Sequence, residues 1–433
     1  MLPCPGERRS ASLPNIAVNS KWIKKLNRMN VLNILKRQGS VSRQELAVIT
    51  GLTGPAITGI IKELLQLGFV KETGLGRSQG GRKPMQLEIN PEFGYVFGVE
   101  VTRHEVSMGM ANLTDDPVLL QRRAVDMSAP RPGVDNFIKM ITSAARMVER
   151  KGQLLALGVA FPGLLDAATG TVKRSVNLGP DWNGYPIQAA LEERLGVKVF
   201  VENNSNAAAL AERWFGDCAE CRDLVYVNWG EGISAGVLTD ERILQGHRGF
   251  AGEIGHIVIQ EGGALCNCGN RGCLETICGI PALERKVASE LLFIPADDPV
   301  RERAAAGRVS IEDFIDCASV EGSYCAELMR QVARYVGYAV ADVVNILNPQ
   351  VVFLGGRMAR AAALSRDVIE ETVRSHAFPE VAAATELRIS SLEGRAGFSG
   401  ACALALRETM ESSESDLLQG GEEYHLLLPR KTF

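Results

Sequence analysis

The chain has 433 residues, 46% hydrophobic and 23% charged, with a formal net charge of −4. That is enough for two or three domains with real cores, and it excludes a disordered or collagen-like polymer. No apolar run reaches the ~20 residues of a membrane helix; the nearest, residues 154–165, is broken by glycine and proline. Residues 1–20 lack the apolar stretch of a secretory signal and read as a disordered arm. Ten cysteines in such a chain point to reduced thiols in a cytoplasmic protein.

Charge is unevenly spread. Residues 21–90 hold twelve Lys/Arg against four acids, a net +8, whereas residues 91–433 carry −13. A basic head on an acidic body is the footprint of a phosphate-binding module attached to something else. A solvated basic face would give the same composition.

Helical periodicity organises the head. Met29, Val31, Leu32, Ile34 and Leu35 define a first amphipathic helix ending near Gly39. Ser42-Arg43-Gln44-Glu45 has the form of a capping box and opens a second helix that stops at Gly51. Thr53 is placed to cap a third helix with Pro55 in its first turn. Ile57, Ile60, Ile61 and Leu64 face its core, leaving Gly54, Ala56, Thr58, Gly59 and Lys62 opposite. Small and polar groups of this kind suit close approach in a major groove. Strands at 69–72 and 85–89 flank a glycine-rich basic segment with Arg77, Arg82 and Lys83, the pattern of a wing that lays cations along a phosphate backbone. The DNA-contact candidates are thus Ser42, Arg43, Thr53, Gly54, Pro55, Ala56, Thr58, Lys62, Arg77, Arg82 and Lys83. The alternative is a three-helix bundle that contacts only protein.

Beyond Pro91 strands alternate with helices. Strands are predicted at 95–101, 155–160, 198–202, 223–227 and 351–354, and helices at 135–151, 187–195, 205–214 and 326–347. Such alternation predicts an α/β body of two lobes with a ligand cleft between them.

The most specific stretch is Gly252 to Glu275, GEIGHIVIQEGGALCNCGNRGCLE. His256, Cys266, Cys268 and Cys273 make a normal tetrahedral donor set for structural zinc, a closed site that contributes folding energy and performs no chemistry. Three buried reduced cysteines in a glycine-rich loop would leave the same pattern. Cys218 and Cys221 form a C-x-x-C without a second pair nearby and are read as coincidence. Taken alone, Glu253 reads as a surface carboxylate and Glu275 as a helix N-terminal charge.

These motifs resemble the ROK family of repressors, open reading frames and sugar kinases over roughly residues 21–405. The resemblance rests on GEIGH, on the CNCGNRGCLE loop, on Phe161-Pro162-Gly163, Asn177-Leu178-Gly179 and Val201-Glu202-Asn203-Asn204, and on Asn348-Pro349 and Leu354-Gly355-Gly356. A winged helix in front is typical of the family's transcriptional branch, which includes xylose and N-acetylglucosamine repressors. The resemblance implies a winged helix-turn-helix (21–90) and a two-lobed sugar-kinase-like body of the actin/hexokinase ATPase type. The body's expected parts are a first lobe (91–204), a second lobe with the zinc loop (205–394) and a helix returning to the first lobe (395–410), with a tail at 411–433.

It also implies that Gly163, Asn177, Asn203, Asn204, Glu253, His256 and Glu275 line a sugar site. Carboxylates and an oriented imidazole suit divergent hydroxyls, and His256 would bind zinc through one ring nitrogen and a hydroxyl through the other.

Two departures from the family's kinases stand out. Their E-N-D motif ends in an aspartate that acts as general base; here that position is Asn204, whose amide cannot accept the proton. Their D-x-G-G-T phosphate loop reads Glu100-Val101-Thr102-Arg103-His104, and the turn Gly230-Glu231-Gly232 carries an acid. The expectation is therefore a sugar-gated repressor, not an enzyme, working as a homodimer or tetramer on a double-stranded operator. A DNA-binding kinase and a ligand-free repressor sequestered by a sugar-transport protein are the alternatives.

Overall fold

The computed structural model describes residues 20–75, 83–103, 105–148, 153–175, 178–304 and 308–411. Arg77 and Arg82 of the wing, His104, Asn177, the N-terminal arm and the tail beyond Glu411 lie outside these residues. The described chain divides between Asn90 and Pro91 into two units.

In the first unit, α1 (Ser20–Gln38) stops at Gly39, whose φ of +74° favours glycine. A two-residue strand β1 (Val41–Ser42) follows, too short to show any period in the sequence. In α2 (Arg43–Thr50), Ser42 Oγ accepts from the Glu45 N–H while the Glu45 carboxylate accepts from the Ser42 N–H, so the capping box is complete. Thr53 stands at the N-cap of α3 (Gly54–Gln66) but makes no side-chain capping bond, contrary to expectation. The helix starts instead on Pro55 and on the Ile57 N–H donating to the Thr53 carbonyl at 3.1 Å. Strands β2 (Val70–Leu75) and β3 (Met85–Ile89) join β1 in an antiparallel sheet of order β1-β3-β2. Leu32, Leu46, Ile57, Ile61, Leu64, Phe69 and Leu87 are buried as its core. This is a winged helix-turn-helix.

The second unit opens with an antiparallel meander, β4 (Gly94–Val101), β5 (Val106–Asn112) and β6 (Val118–Arg123). Helix α4 (Pro130–Met147) leads to β7 (Gln153–Phe161), parallel to β4; a ribbon of β8 (Leu164–Asp166) and β9 (Thr171–Arg174) follows. Helix α5 (Ile187–Leu195) returns the chain to β10 (Val199–Asn203), parallel to β7, giving a first sheet of order β10-β7-β4-β5-β6.

Helix α6 (Asn204–Phe215) crosses to a second sheet of order β13-β12-β11-β14-β15, built from β11 (Leu224–Trp229), β12 (Ile233–Thr239), β13 (Arg242–Ile243), β14 (Val351–Gly355) and β15 (Glu386–Ile389). The cysteine loop, α7 (Glu275–Cys278), α8 (Ile280–Glu290), α9 (Pro299–Arg303), α10 (Ile311–Ala318) and α11 (Tyr324–Leu347) lie between β13 and β14. After α12 (Ala359–Leu364), α13 (Arg366–His376) and α14 (Pro379–Ala384), the described chain ends in α15 (Ala396–Glu411).

Strand alternation sorts side chains by size. On β4 and β7, Phe97, Val99, Leu157, Val159 and Phe161 point into a core shared with α4 and α5. Gly98, Gly158 and Ala160 point the other way, onto α15. A Cβ at Gly158 would come within 1.8 Å of the Ala401 carbonyl, and one at Gly400 within 1.8 Å of the Ala207 carbonyl. Ala160, Ala207 and Ala401 meet at this seam. On the other side of α6, Ala208, Leu210, Leu224, Tyr226 and Phe353 pack together. Helices α6 and α15 are therefore the middle layer between the two sheets.

The expectation of uniformly reduced cysteines is corrected: Cys218 and Cys221 are paired as a disulfide. The turn after α6, closed by the Cys221 N–H on the Cys218 carbonyl, holds their Cα atoms 5.3 Å apart, within bridging range.

Gly158→Val places three carbons against the α15 backbone. A loss of at least about 2 kcal/mol in unfolding free energy is expected by urea denaturation, and an unchanged midpoint would contradict the seam.

Candidate functional site

Strands β4, β7 and β10 run parallel, so Val101, Phe161 and Asn203 end at one sheet edge, where α/β folds bind ligands. Asn203 caps α6: its Oδ1 accepts from the Ser205 N–H at 2.8 Å, and its Nδ2 donates to the Gly163 carbonyl at 3.0 Å. Gly163 has φ of +123°, and a Cβ there would lie 2.5 Å from the Arg174 carbonyl, so both conformation and space demand glycine. Asn204 Nδ2 donates to the Val101 carbonyl at 2.9 Å. That carbonyl can only accept, which fixes the amide's orientation. Asn204 Oδ1 is left buried with no partner among the described residues.

The second sheet meets this edge at β12. Ser205 Oγ lies 2.6 Å from Ser234 Oγ, and the neighbouring Ile233 N–H donates to Glu275 Oε2 at 3.3 Å. The Gly252 carbonyl accepts from the Ala235 N–H at 2.7 Å, which brings Glu253 to the same strand. Glu253 Oε2 is 3.8 Å from His256 Nε2. Burial pushes both the Glu253 and the Glu275 carboxyl up; Glu275 adds to the effect on Glu253, and His256 opposes it on both. Asn203, Asn204, Gly163, Glu253, His256 and Glu275 thus surround one place, although they span 113 residues of sequence. Asn177 is outside the described residues.

The cysteine loop fits a metal. His256 Nδ1 and the three sulfurs of Cys266, Cys268 and Cys273 all lie within 4.8 Å of one another. Zn–S bonds of about 2.3 Å and a Zn–N bond of about 2.0 Å at tetrahedral angles require S···S near 3.8 Å and N···S near 3.6 Å. Cys268 and Cys273 are 3.7 Å apart, and Cys266 Sγ is 3.5 Å from His256 Nδ1. Bridges between Val258 and Cys273 and between Leu265 and Arg271 hold the loop shut. Nδ1 faces the sulfurs while Nε2 faces Glu253, so one imidazole spans the metal cluster and the carboxylate cluster.

The turn after β4 is closed by its own hydrogen bonds. The Thr102 N–H donates to the Glu105 carbonyl at 2.9 Å, and the Glu105 N–H donates back to Thr102 Oγ1 at 3.1 Å. Glu100 points onto α15, where a Cβ at Gly397 would strike its carboxylate, and burial raises its carboxyl to about 7. In the second sheet Glu231 is ion-paired with Arg357, which also binds Glu312 at 2.6 Å. Motif reading passes over Arg357, although a cation directly after Gly355-Gly356 is a visible signal.

In the head, Thr53, Gly54, Pro55, Thr58 and Lys62 are exposed along one side of α3, Ala56 is half-buried and Lys83 is exposed at the start of β3. Ser42 is buried, its hydroxyl taken by the capping box, and it drops out of the candidate contact face. Arg43 forms an ion pair with Glu72 of β2 at 2.9 Å.

A winged helix-turn-helix followed by a two-sheet sugar-kinase-type body defines a regulator built on a kinase fold. The chain belongs to the ROK family, which matches residues 96–408, and residues 26–71 match a winged helix-turn-helix DNA-binding family. It is 27% identical over 394 residues to a putative xylose repressor of Caldicellulosiruptor, covering 90% of this chain and 98% of that protein. It is likewise 27% identical over 390 residues to the DNA-binding transcriptional dual regulator NagC of Escherichia coli, at 90% and 94% coverage. Among solved structures, a ROK family transcriptional regulator homologous to the E. coli MLC protein superposes with a TM-score of 0.76 at 25% identity, over 92% of this chain and 98% of that one. A ROK family glucokinase from Streptomyces griseus, with glucose and AMPPNP, gives 0.64 at 25% identity, over 72% and 100%.

One zinc per chain is expected by atomic absorption, and Cys273→Ser is expected to lose it and to melt at lower temperature. Full-length protein containing no metal, with an unperturbed melt, would contradict the cluster.

Proposed function

We propose that this chain is a sugar-responsive DNA-binding repressor of carbohydrate-metabolism genes, whose kinase-type body binds carbohydrate without phosphorylating it. The observation that carries this reading is the Asn204 amide at the general-base position, its orientation set by Val101 and its Oδ1 left as a bare acceptor. An amide oxygen accepts a sugar hydroxyl but takes no proton from it at neutral pH. Phosphoryl transfer also needs a cradle for the polyphosphate. The Thr102–Glu105 turn uses its own N–H groups, and Glu231 adds negative charge beside the other glycine turn.

In this reading Gly163, Asn177, Asn203, Asn204, Glu253, His256 and Glu275 hold the sugar. Zinc on His256, Cys266, Cys268 and Cys273 is structural and supplies only a fixed tautomer and direction for the imidazole. His256 Nε2 and the two carboxylates then present a rigid set of hydrogen-bonding groups, so hydroxyl stereochemistry is read by their placement. Equal identity to regulators named for xylose and for N-acetylglucosamine metabolism leaves the choice of sugar to those contacts.

A homodimer, alone or paired into a tetramer, places two heads on a pseudo-palindromic operator. Lys62, Lys83, Arg77 and Arg82 hold phosphates while α3 enters the major groove. Sugar binding favours one closure of the two sheets about α6, and ~1–3 kcal/mol of differential affinity releases the DNA.

Calorimetry against aldopentoses, aldohexoses and N-acetylhexosamines should find one class that binds and lowers operator affinity, with ADP release from ATP at background. Asn204→Leu should weaken that sugar at least tenfold and leave sugar-free DNA binding intact. Sugar-dependent ADP release, or operator affinity indifferent to every sugar at saturation, would overturn the proposal.

A further inference from the structure

The exposed face of α3 is made mostly of small groups. Gly54, Pro55, Thr58, Gly59 and Lys62 form it; of these only Lys62 can read guanine, and no asparagine or glutamine stands among them to make the paired hydrogen bonds that read adenine. Gln66 is exposed only at the far end, about two turns beyond Thr58.

The two glycines are not explained by the fold of the head. Neither has a positive φ, and a Cβ built on either meets nothing within 4 Å. Glycine inside a helix is less stable than alanine, so Gly59 in particular weakens α3 without relieving any contact within the protein. Between them, Thr58 turns its hydroxyl back to the Gly54 carbonyl at 2.8 Å. A threonine bonded in this way has its donor occupied, and the rest of the Thr58 side chain is exposed.

We infer that the Thr58 methyl, flanked by the Gly54 and Gly59 backbone, is a shallow apolar seat for the 5-methyl group of a thymine, and that Thr58 sets a thymine preference at one position of each half-site. The missing Cβ atoms let the helix approach the groove floor closely enough for methyl to meet methyl. This rests on the DNA-binding reading of the head and adds to it the chemistry of the base contact.

The test starts from duplexes enriched by the full-length chain from a random-sequence pool, resynthesised with deoxyuridine replacing one thymine at a time. Removing a single buried methyl is expected to weaken binding about fourfold to tenfold at one symmetric pair of positions. Thr58→Ser, which keeps the hydroxyl and loses only the methyl, should bind the thymine and uracil duplexes equally. Gly59→Ala should raise the melting midpoint of the head by about 4 °C while weakening the enriched duplex at least fivefold.

Indifference of the natural chain to every uracil, or an undiminished thymine preference in Thr58→Ser, overturns the methyl contact and leaves the DNA-binding head standing. Failure to enrich any duplex overturns both, and so separates loss of the wider reading from loss of this one.

Discussion

The body depends on how closely α6 can lie against its neighbours. Backbone meets backbone where Gly400 of α15 faces Ala207 and where a Cβ at Gly236 of β12 would reach the Ser205 carbonyl at 1.9 Å. These approaches leave no room for a methyl group, so the position of α6 is fixed by contact and not by a cushion of flexible side chains. Its first residue follows directly from β10, and its N-cap, Asn203, is tied to Gly163. The same close packing that builds the middle layer therefore holds Asn203 and Asn204 at the edge of one sheet and Ser205 against the other. A shift of α6 is necessarily a shift of the site.

Around that edge the protein gathers hydrogen-bonding groups. Glu253 and Glu275 sit partly buried beside a single imidazole, and burial pushes both carboxyls up. Such groups are costly to desolvate unless something donates to them. Polyol hydroxyls do so, whereas a polyphosphate would add repulsion. Elsewhere in the body, Thr102 is bonded to Glu105, and Arg357 is paired with Glu231 and Glu312. The cysteine cluster meets the carboxylates at His256, which has one ring nitrogen turned to the sulfurs and the other to Glu253.

In the head, some of the twelve cations are paired internally. Glu63 pairs with Lys24 and Arg28 and so braces α3 against α1, and Glu72 pairs with Arg43 and so braces β2 against α2, before any DNA is present. Lys62 on α3 and Lys83 ahead of β3 remain exposed.

The amino-acid order alone carries what depends on neighbours along the chain. The Ser42–Glu45 capping box, the Gly51 stop of α2, the extent of α5 at 187–195 and the four zinc-type donors are local patterns, and each is found where the pattern places it. Asn204 in place of the motif's aspartate is equally local, because it is one residue in a recognisable motif.

Tertiary structure decided what arises between distant segments. Strands β1 and β15 gain their pairing from segments far away in sequence, β1 being too short to show a period, and β5 is buried along its whole length, so no alternation announces it. Ser42 is a DNA-contact candidate in sequence in spite of its capping box, and only its burial in the fold removes it. The bare Asn204 oxygen, the Ser205–Ser234 contact and the Glu231–Arg357–Glu312 bridge depend on backbone-to-backbone packing that brings two sheets onto one helix, a constraint that no linear spacing records.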